Sequence, residues 1–348
     1  MIQKQALLLL NMGGPNNVEE VELFLRNMFA DKNILNMNPY TRKFVATIII
    51  NKRLEEVKEN YGLLGGKSPL PGLTYELIAK LKDKIDMPIY PAMRYVPPFA
   101  DVALEKCKDD SVEEILLFPL YPQYSTTTTL SSYEDIIERC KALDYYPKVT
   151  MLTCQYFDDI DYIKASVEQI EQAVVDKDTS EYDLLLSAHG LPLSVIQSGD
   201  PYQRQVESNV SAIRTLLEIK GINFKNVKLV YQSKVGSAAW LEPNLVDVLR
   251  NPTNRKVIIY PLAFTIDNSE TVFELDIEHR EIAEKIKYDD YVVVKCMNDS
   301  DAFVNIITKY VQQHIIEPKG LFTCADCSVC LCCGVSKQYD DSLKALTE

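Results

Sequence analysis

Three histidines occur in the 348 residues, and one of them, His189, stands where chemistry is easily arranged. It lies in Tyr182-Asp-Leu-Leu-Leu-Ser-Ala-His-Gly-Leu-Pro192, an apolar run of strand length that gives way to a turn marked by Gly190 and Pro192. Open α/β sheets place their ligands at such strand ends. An imidazole there can accept a proton near neutral pH or offer a nitrogen to a metal, although a capped core histidine has the same local pattern.

A second constellation is Asp267-Asn-Ser-Glu-Thr-Val-Phe-Glu-Leu-Asp-Ile-Glu278. Glu270, Glu274 and Glu278 recur every four residues, with Asp267 three before the first, so a helix would carry them on one face. Like charges at that spacing repel, and no lysine or arginine stands between them. A solvated face is the plain account, and a divalent cation on carboxylate oxygens is the chemical one. An ideal helix drifts by about 80° over eight residues, so a straighter ladder requires a π-bulge, a feature enriched at functional sites.

The third constellation is Cys324-x-x-Cys327-x-x-Cys330-x-Cys332-Cys333, five of the nine cysteines. Such density points to tetrahedral zinc or an iron-sulfur cluster, which the spacing does not separate. The other four, Cys107, Cys140, Cys154 and Cys296, are scattered, so a disulfide frame is not indicated.

Apolar runs alternating with helical patterns must position these groups, as in βα units around parallel sheets. Strands are expected at about Gln5–Asn11, Pro88–Arg94, Val112–Leu120, Val149–Cys154, Leu184–Ala188, Val227–Gln232, Lys256–Phe264 and Tyr291–Lys295. Helices are expected at Val18–Met28, Leu73–Ile85 and Ala302–Ile316 among others. The reading is α/β: two similar Rossmann-like domains, 1–150 and 151–320, each a parallel sheet flanked by helices, followed by a cysteine-rich tail at 321–348.

Between the strands, Met12-Gly-Gly-Pro15 lacks G-x-G-x-x-G, so no dinucleotide is implied. Tyr61-Gly-Leu-Leu-Gly-Gly-Lys-Ser68 lacks the first Walker glycine and is followed by Pro69, so it reads as a loop. Tyr40, Phe44, Val45 and Ile48–Ile50 lie among Arg42, Lys43, Lys52 and Arg53, as a lip at about 39–60 that touches lipid or as a plain core helix. Ser125 and the threonines to Thr129 suit helix capping or ligand hydrogen bonds.

A net charge of −13 argues against nucleic acid as a partner. The first residues do not form a signal peptide, and no apolar run reaches spanning length, so a bacterial cytoplasmic location is expected.

Taken in order, Leu10-Asn-Met-Gly-Gly-Pro15, Met93-Arg-Tyr-Val96, Tyr121-Pro-Gln-Tyr-Ser125, Ser187-Ala-His-Gly-Leu-Pro192, Tyr231-Gln-Ser-Lys-Val-Gly236, Trp240-Leu241 and Glu270-Thr-x-x-Glu-Leu-Asp-Ile-Glu278 resemble ferrochelatases over nearly the whole chain. The resemblance implies a chelatase-like fold with a cleft between its domains, and insertion of Fe²⁺ into protoporphyrin IX as the terminal step of haem synthesis. By the same resemblance His189 and Glu270 form the proton-accepting pair, and Asp267, Glu274 and Glu278 join them along the Fe²⁺ path.

Met12, Tyr61, Arg94, Tyr121, Trp240 and Phe264 match positions that line the porphyrin pocket, and Arg53 and Ser68 match contacts to its propionates. Met12 is similar to the protoporphyrin-using branch, whereas the coproporphyrin-using branch typically has tyrosine. The 40–50 segment matches the cleft lip that meets the inner membrane peripherally.

Two departures stand out. Many relatives have histidine where this chain has Asn268, and the fourth ligand of the animal 2Fe-2S pattern falls at Thr126. Four of Cys324, Cys327, Cys330, Cys332 and Cys333 would then hold a 2Fe-2S cluster, with zinc as the alternative. Rival readings are a coproporphyrin or cobalt chelatase and a non-catalytic porphyrin carrier; a monomer and a homodimer are both compatible with the sequence.

Overall fold

The run Ala6-Leu-Leu-Leu-Leu10 has no polar side to turn toward water, so it belongs in the middle of a sheet covered on both faces. In the computed structural model, which describes residues 4–236 and 238–317, it forms most of β1 (Gln5–Asn11), and Ala6 to Leu10 are fully buried. Each leucine so buried contributes about 1.5–3 kcal/mol. β1 pairs in parallel with β2 (Ile89–Met93) and β3 (Glu114–Pro119), and β4 (Lys148–Met151) completes the order β2-β1-β3-β4.

The second sheet repeats that plan. β5 (Asp183–His189) lies between β6 (Asn226–Gln232) and β7 (Lys256–Pro261), and β8 (Asp290–Val293) pairs with β7, giving β6-β5-β7-β8. In each sheet the chain moves from its first strand to one side and then returns to the other. The C-terminal ends of β1 and β5 are therefore topological switch points. His189 is the last residue of β5.

Of the described residues, 4–155 and 307–317 form one compact unit and 156–306 another, the division falling within the last helix, Asp301–Ile316. In the first unit, Leu8 and Leu10 pack with Ala103, Leu104, Ile136 and Cys140 of helices Ala100–Asp109 and Ser131–Ala142. A separate cluster joins Val21, Leu25 and Phe29 of helix Glu20–Ala30 to Ala46, Ile50 and Tyr61 of helix Pro39–Leu63.

That second helix carries both a buried and an exposed apolar stripe. Its one stripe is core, while Tyr40, Phe44 and Ile48, four residues apart, are 89%, 68% and 53% exposed. It also runs into the segment read as a loop and stops only where Gly65 and Gly66 take left-handed φ of 80° and 87°. There the Gly66 N–H donates to the Tyr61 carbonyl, closing the helix end. Among the described residues no helix is long and apolar enough to cross a membrane.

In the second unit, Leu184, Leu186 and Ala188 face helices Ile160–Ala173 and Tyr202–Ile219 through Val167, Ile170, Val206 and Ile213. Leu185 points the other way, toward Leu249 and Ala283 of helices Leu245–Arg250 and His279–Ile286. Alternate residues of β5 thus fill two cores, and the strand is held at both faces. β7 ends at Pro261 rather than Phe264, so that Phe264 leaves the sheet and meets the His189 ring edge-on at 6.5 Å between centroids.

Candidate active site

The fixed end of β5 delivers His189 to Glu270. Its Nδ1 lies 2.9 Å from Glu270 Oε2, and the two side chains keep 33% and 26% of their surface exposed. Burial alone would depress the imidazole, but the Glu270 carboxylate beside it and the Glu274 charge beyond outweigh burial and raise it. Behind the ring, the Tyr202 hydroxyl donates to the His189 carbonyl at 3.0 Å. Gly190 is required next in sequence: a Cβ there would stand 2.9 Å from the Gln232 carbonyl oxygen.

Glu270 opens a π-helix, Glu270–Glu278. Widening the turn from the α-helical repeat brings every fourth residue nearer to eclipse, which lines up Glu270, Glu274 and Glu278 despite their mutual repulsion. Glu274, in the middle of the ladder, is its most buried member at 15% side-chain exposure, and Glu278 is open to solvent. Burial, then the Glu270 charge, pushes the Glu274 carboxyl up to about 7, against donors from Ser233 and the pull of His189. Arranged this way, the group can bind or release a proton near neutral pH.

Asp267 stands apart from the ladder in its bonding. One oxygen accepts from the Thr271 hydroxyl at 2.9 Å and the Cys296 N–H at 3.3 Å, and the other from Asn298 Nδ2 at 2.7 Å. Its carboxylate is committed to the fold. Asn268 closes an Asx turn ahead of the π-helix, its Oδ1 accepting from the Glu270 N–H at 2.7 Å while its Nδ2 donates to the Ile266 carbonyl. Among the described residues no three of His, Cys, Asp and Glu gather closely enough to hold a metal ion together.

Trp240, assigned to the substrate, pairs through its backbone with Pro192 and lies over the Gly190 turn; its Nε1 is buried without a partner among the described residues. In the first unit the other assigned residues take different roles. Met12 follows the switch point of β1 and is partly buried. Tyr61 is buried in the helix cluster, whereas Arg53 is half-buried on the same helix. Ser68 is buried against Gly14, where an added Cβ would come within 2.3 Å of its hydroxyl, and its Oγ accepts from the Leu70 N–H at 3.3 Å.

Arg94 follows β2, and all its guanidinium nitrogens are engaged by protein. Nε donates to Ser131 Oγ at 3.0 Å, Nη1 to Asp135 at 3.1 Å and Nη2 to the buried Asp31 at 3.3 Å. Tyr121 places its hydroxyl 3.4 Å from Ser132 Oγ, and burial raises it far above the ordinary phenol range. The hydroxyl run serves as a cap, Ser125 Oγ accepting from the Thr127 N–H at 3.1 Å before the π-helix Thr126–Leu130.

Sequence reasoning missed His279 and the Gln232-Ser233 pair. His279, buried directly after the ladder, has Nε2 4.0 Å from Glu274 Oε1, and burial, aided by Arg250, lowers it to about 4. Five residues separate it from Glu274, the hydrogen-bond spacing of a π-helix, and that was the available signal. Of the scattered cysteines, Cys107 and Cys140 are buried in the first core, where desolvation pushes their thiols up to about 12 and leaves them unreactive. The tail cysteines lie outside the described residues.

Residues 4–315 match the family model described as Ferrochelatase. Among curated relatives, the chain is 48% identical over 309 residues to Ferrochelatase of Sulfurimonas denitrificans, covering 88% of this chain and 98% of that one. It is 47% identical to Ferrochelatase of Wolinella succinogenes, covering 89% and 98%. Identity to Ferrochelatase of Helicobacter pylori is 42%, covering 89% and 93%. Among solved structures, SirB from Bacillus subtilis with Fe³⁺ is similar in fold at TM-score 0.52 and 14% identity, covering 89% of this chain and 95% of that one. CbiX, described as the terminal enzyme for biosynthesis of sirohaem in denitrifying bacteria, matches at TM-score 0.50 and 12% identity, covering 89% and 99%. The α/β arrangement of two parallel four-stranded sheets is thus that of chelatases.

Proposed function

The chain belongs to the ferrochelatase family, and from that premise we propose that it inserts ferrous iron into protoporphyrin IX to give protohaem. Membership makes it an enzyme, a metal chelatase of the lyase class acting on a porphyrin in haem biosynthesis. The observation that carries the finer reading is the His189–Glu270 pair, 2.9 Å apart at the switch point, with the Glu274 and Glu278 carboxylates following on the same π-helix.

Insertion exchanges two pyrrole protons for one Fe²⁺, with no electron transferred. The site must therefore accept protons from the ring and carry a dication inward. The His189–Glu270 pair accepts the protons, and Glu270, Glu274 and Glu278 serve as oxygen donors for iron and as exits for protons. Asp267 supports this path from behind, holding the turn that starts the π-helix. Asn268, an amide that does not titrate, takes no proton and instead holds the turn ahead of that helix through backbone at both ends of its side chain.

Phe264 and Trp240 beside His189 are proposed contacts of the macrocycle. Met12, Tyr61 and Tyr121 are proposed contacts in the first unit, with Arg53 and Ser68 for the propionates. Arg94 is retained there as the brace of its loop, because Asp31 and Asp135 already neutralise it. Anaerobic turnover with Fe²⁺ and detergent-dispersed porphyrin tests the reading. Iron should enter protoporphyrin faster than coproporphyrin; the reverse order would assign the chain to the other substrate, and porphyrin binding without turnover would make it a carrier.

Three further parts of the reading concern its surroundings. Four of Cys324, Cys327, Cys330, Cys332 and Cys333 hold a 2Fe-2S cluster, a reading supported by their C-x-x-C spacing; a colourless protein carrying stoichiometric zinc would contradict it. The stripe Tyr40, Phe44 and Ile48 meets the cytoplasmic face of the membrane, where a hydrophobic porphyrin partitions. The chain works in the cytoplasm, with no nucleic-acid partner, in keeping with its net charge of −13.

A further inference from the structure

β6 ends at Gln232 and Ser233 follows it, two residues that connect the His189 strand to the carboxylate ladder. Ser233 has φ of 64°, a left-handed conformation unfavourable for a residue with a side chain. That turn aims two donors at one carboxylate. The Ser233 N–H donates to Glu274 Oε1 at 2.7 Å and the Ser233 hydroxyl to Oε2 at 2.5 Å.

Gln232 adds a third donor. Its Nε2 reaches Glu274 Oε2 at 3.2 Å and the Glu270 carbonyl at 3.1 Å. The orientation of that amide is set from the other side, where the fully buried Ser187 hydroxyl donates to Gln232 Oε1 at 2.8 Å. The Gln232 carbonyl in turn accepts from the Gly190 N–H at 2.8 Å, one residue beyond His189. Backbone of the strand end that carries His189 and side chain of the ladder are therefore tied to the same two residues.

We propose that Gln232 and Ser233 are positioning residues for iron insertion, clamping the Glu274 carboxylate and fixing its distance from the His189–Glu270 pair. The inference rests on the reading of the ladder as the iron and proton route. A carboxylate on a merely solvated face needs no left-handed residue to hold both of its oxygens. Held this way, Glu274 keeps one orientation along the ladder, so iron passing between successive carboxylates meets fixed donors.

The test is a double-mutant cycle on the full chain, read as kcat and as KM for Fe²⁺ and for porphyrin separately. Ser233→Ala should lower kcat about tenfold or more, the effect of losing a hydrogen bond to a charged group, with the porphyrin KM unchanged. Ser233→Gly relieves the left-handed backbone yet should lose as much, which a purely structural serine would not do. Added to Glu274→Gln, Ser233→Ala should cost nothing more. Wild-type kinetics in both Ser233 variants, or losses that multiply in the double variant, would overturn the clamp while leaving the ladder in place. Wild-type rates in Glu274→Gln itself would overturn the ladder and the clamp together.

Discussion

Replacing Glu274 by glutamine should make the protein more stable above neutral pH while slowing iron insertion. The wild-type carboxyl, 15% exposed at its side chain, is raised from 4.5 to about 7, first by burial and then by the Glu270 charge. Since the folded value exceeds the unfolded one, the folded state holds this proton longer. The stability contributed by the neutral group is full below about pH 4.5 and is lost as pH rises through about 7. At about 1.4 kcal/mol per unit, the ionised group costs about 3 kcal/mol of stability above pH 7.

The glutamine variant avoids that penalty but offers one oxygen where the carboxylate offered two, so one of the Ser233 and Gln232 donors loses its acceptor. A net gain of about 1–2 kcal/mol should remain at pH 8. Urea unfolding of metal-free protein at pH 5 and pH 8 measures it, with the advantage of the variant growing toward high pH. An advantage that is the same at both pH values, or absent at pH 8, would refute the electrostatics argued for the ladder. A group kept at a stability cost is expected at a working site.

Arg94→Ala should destabilise the protein by about 3 kcal/mol in denaturant unfolding, because it leaves the buried Asp31 without its cation and Asp135 with Arg139 alone. A change below 0.5 kcal/mol would remove the brace. Gly190→Ala forces a Cβ to 2.9 Å from the Gln232 carbonyl and should cost about 1–3 kcal/mol while lowering kcat more than the porphyrin KM changes. Exchange of Tyr40, Phe44 and Ile48 for serine should weaken sedimentation with anionic lipid vesicles at least tenfold and leave turnover of detergent-dispersed porphyrin unchanged; vesicle binding equal to wild type would place the membrane contact elsewhere.

Much of the fold was legible because its strands announce themselves as continuous apolar runs, Ala6–Leu10 above all, and because Gly190 and Pro192 mark where β5 stops. The four-residue spacing of the acids, set against the α-helical drift, pointed to the π-helix that Glu270–Glu278 adopts. Less legible was what each polar side chain bonds to. Asp267 and Arg94 look like site residues in sequence, yet their partners, Asn298 for one and Asp31 and Asp135 for the other, are 31 to 63 residues away and come together only in the fold. The Gln232-Ser233 clamp escaped for the same reason, since nothing local marks a left-handed serine.

The central claim is that the His189–Glu270 pair carries the proton chemistry of metal insertion, and its most direct test is haem formation by His189→Ala under anaerobic conditions. The account predicts a folded variant that binds protoporphyrin as wild type does and makes haem about a hundred- to ten-thousandfold more slowly, the usual worth of a positioned proton acceptor. Wild-type turnover in that variant would contradict it.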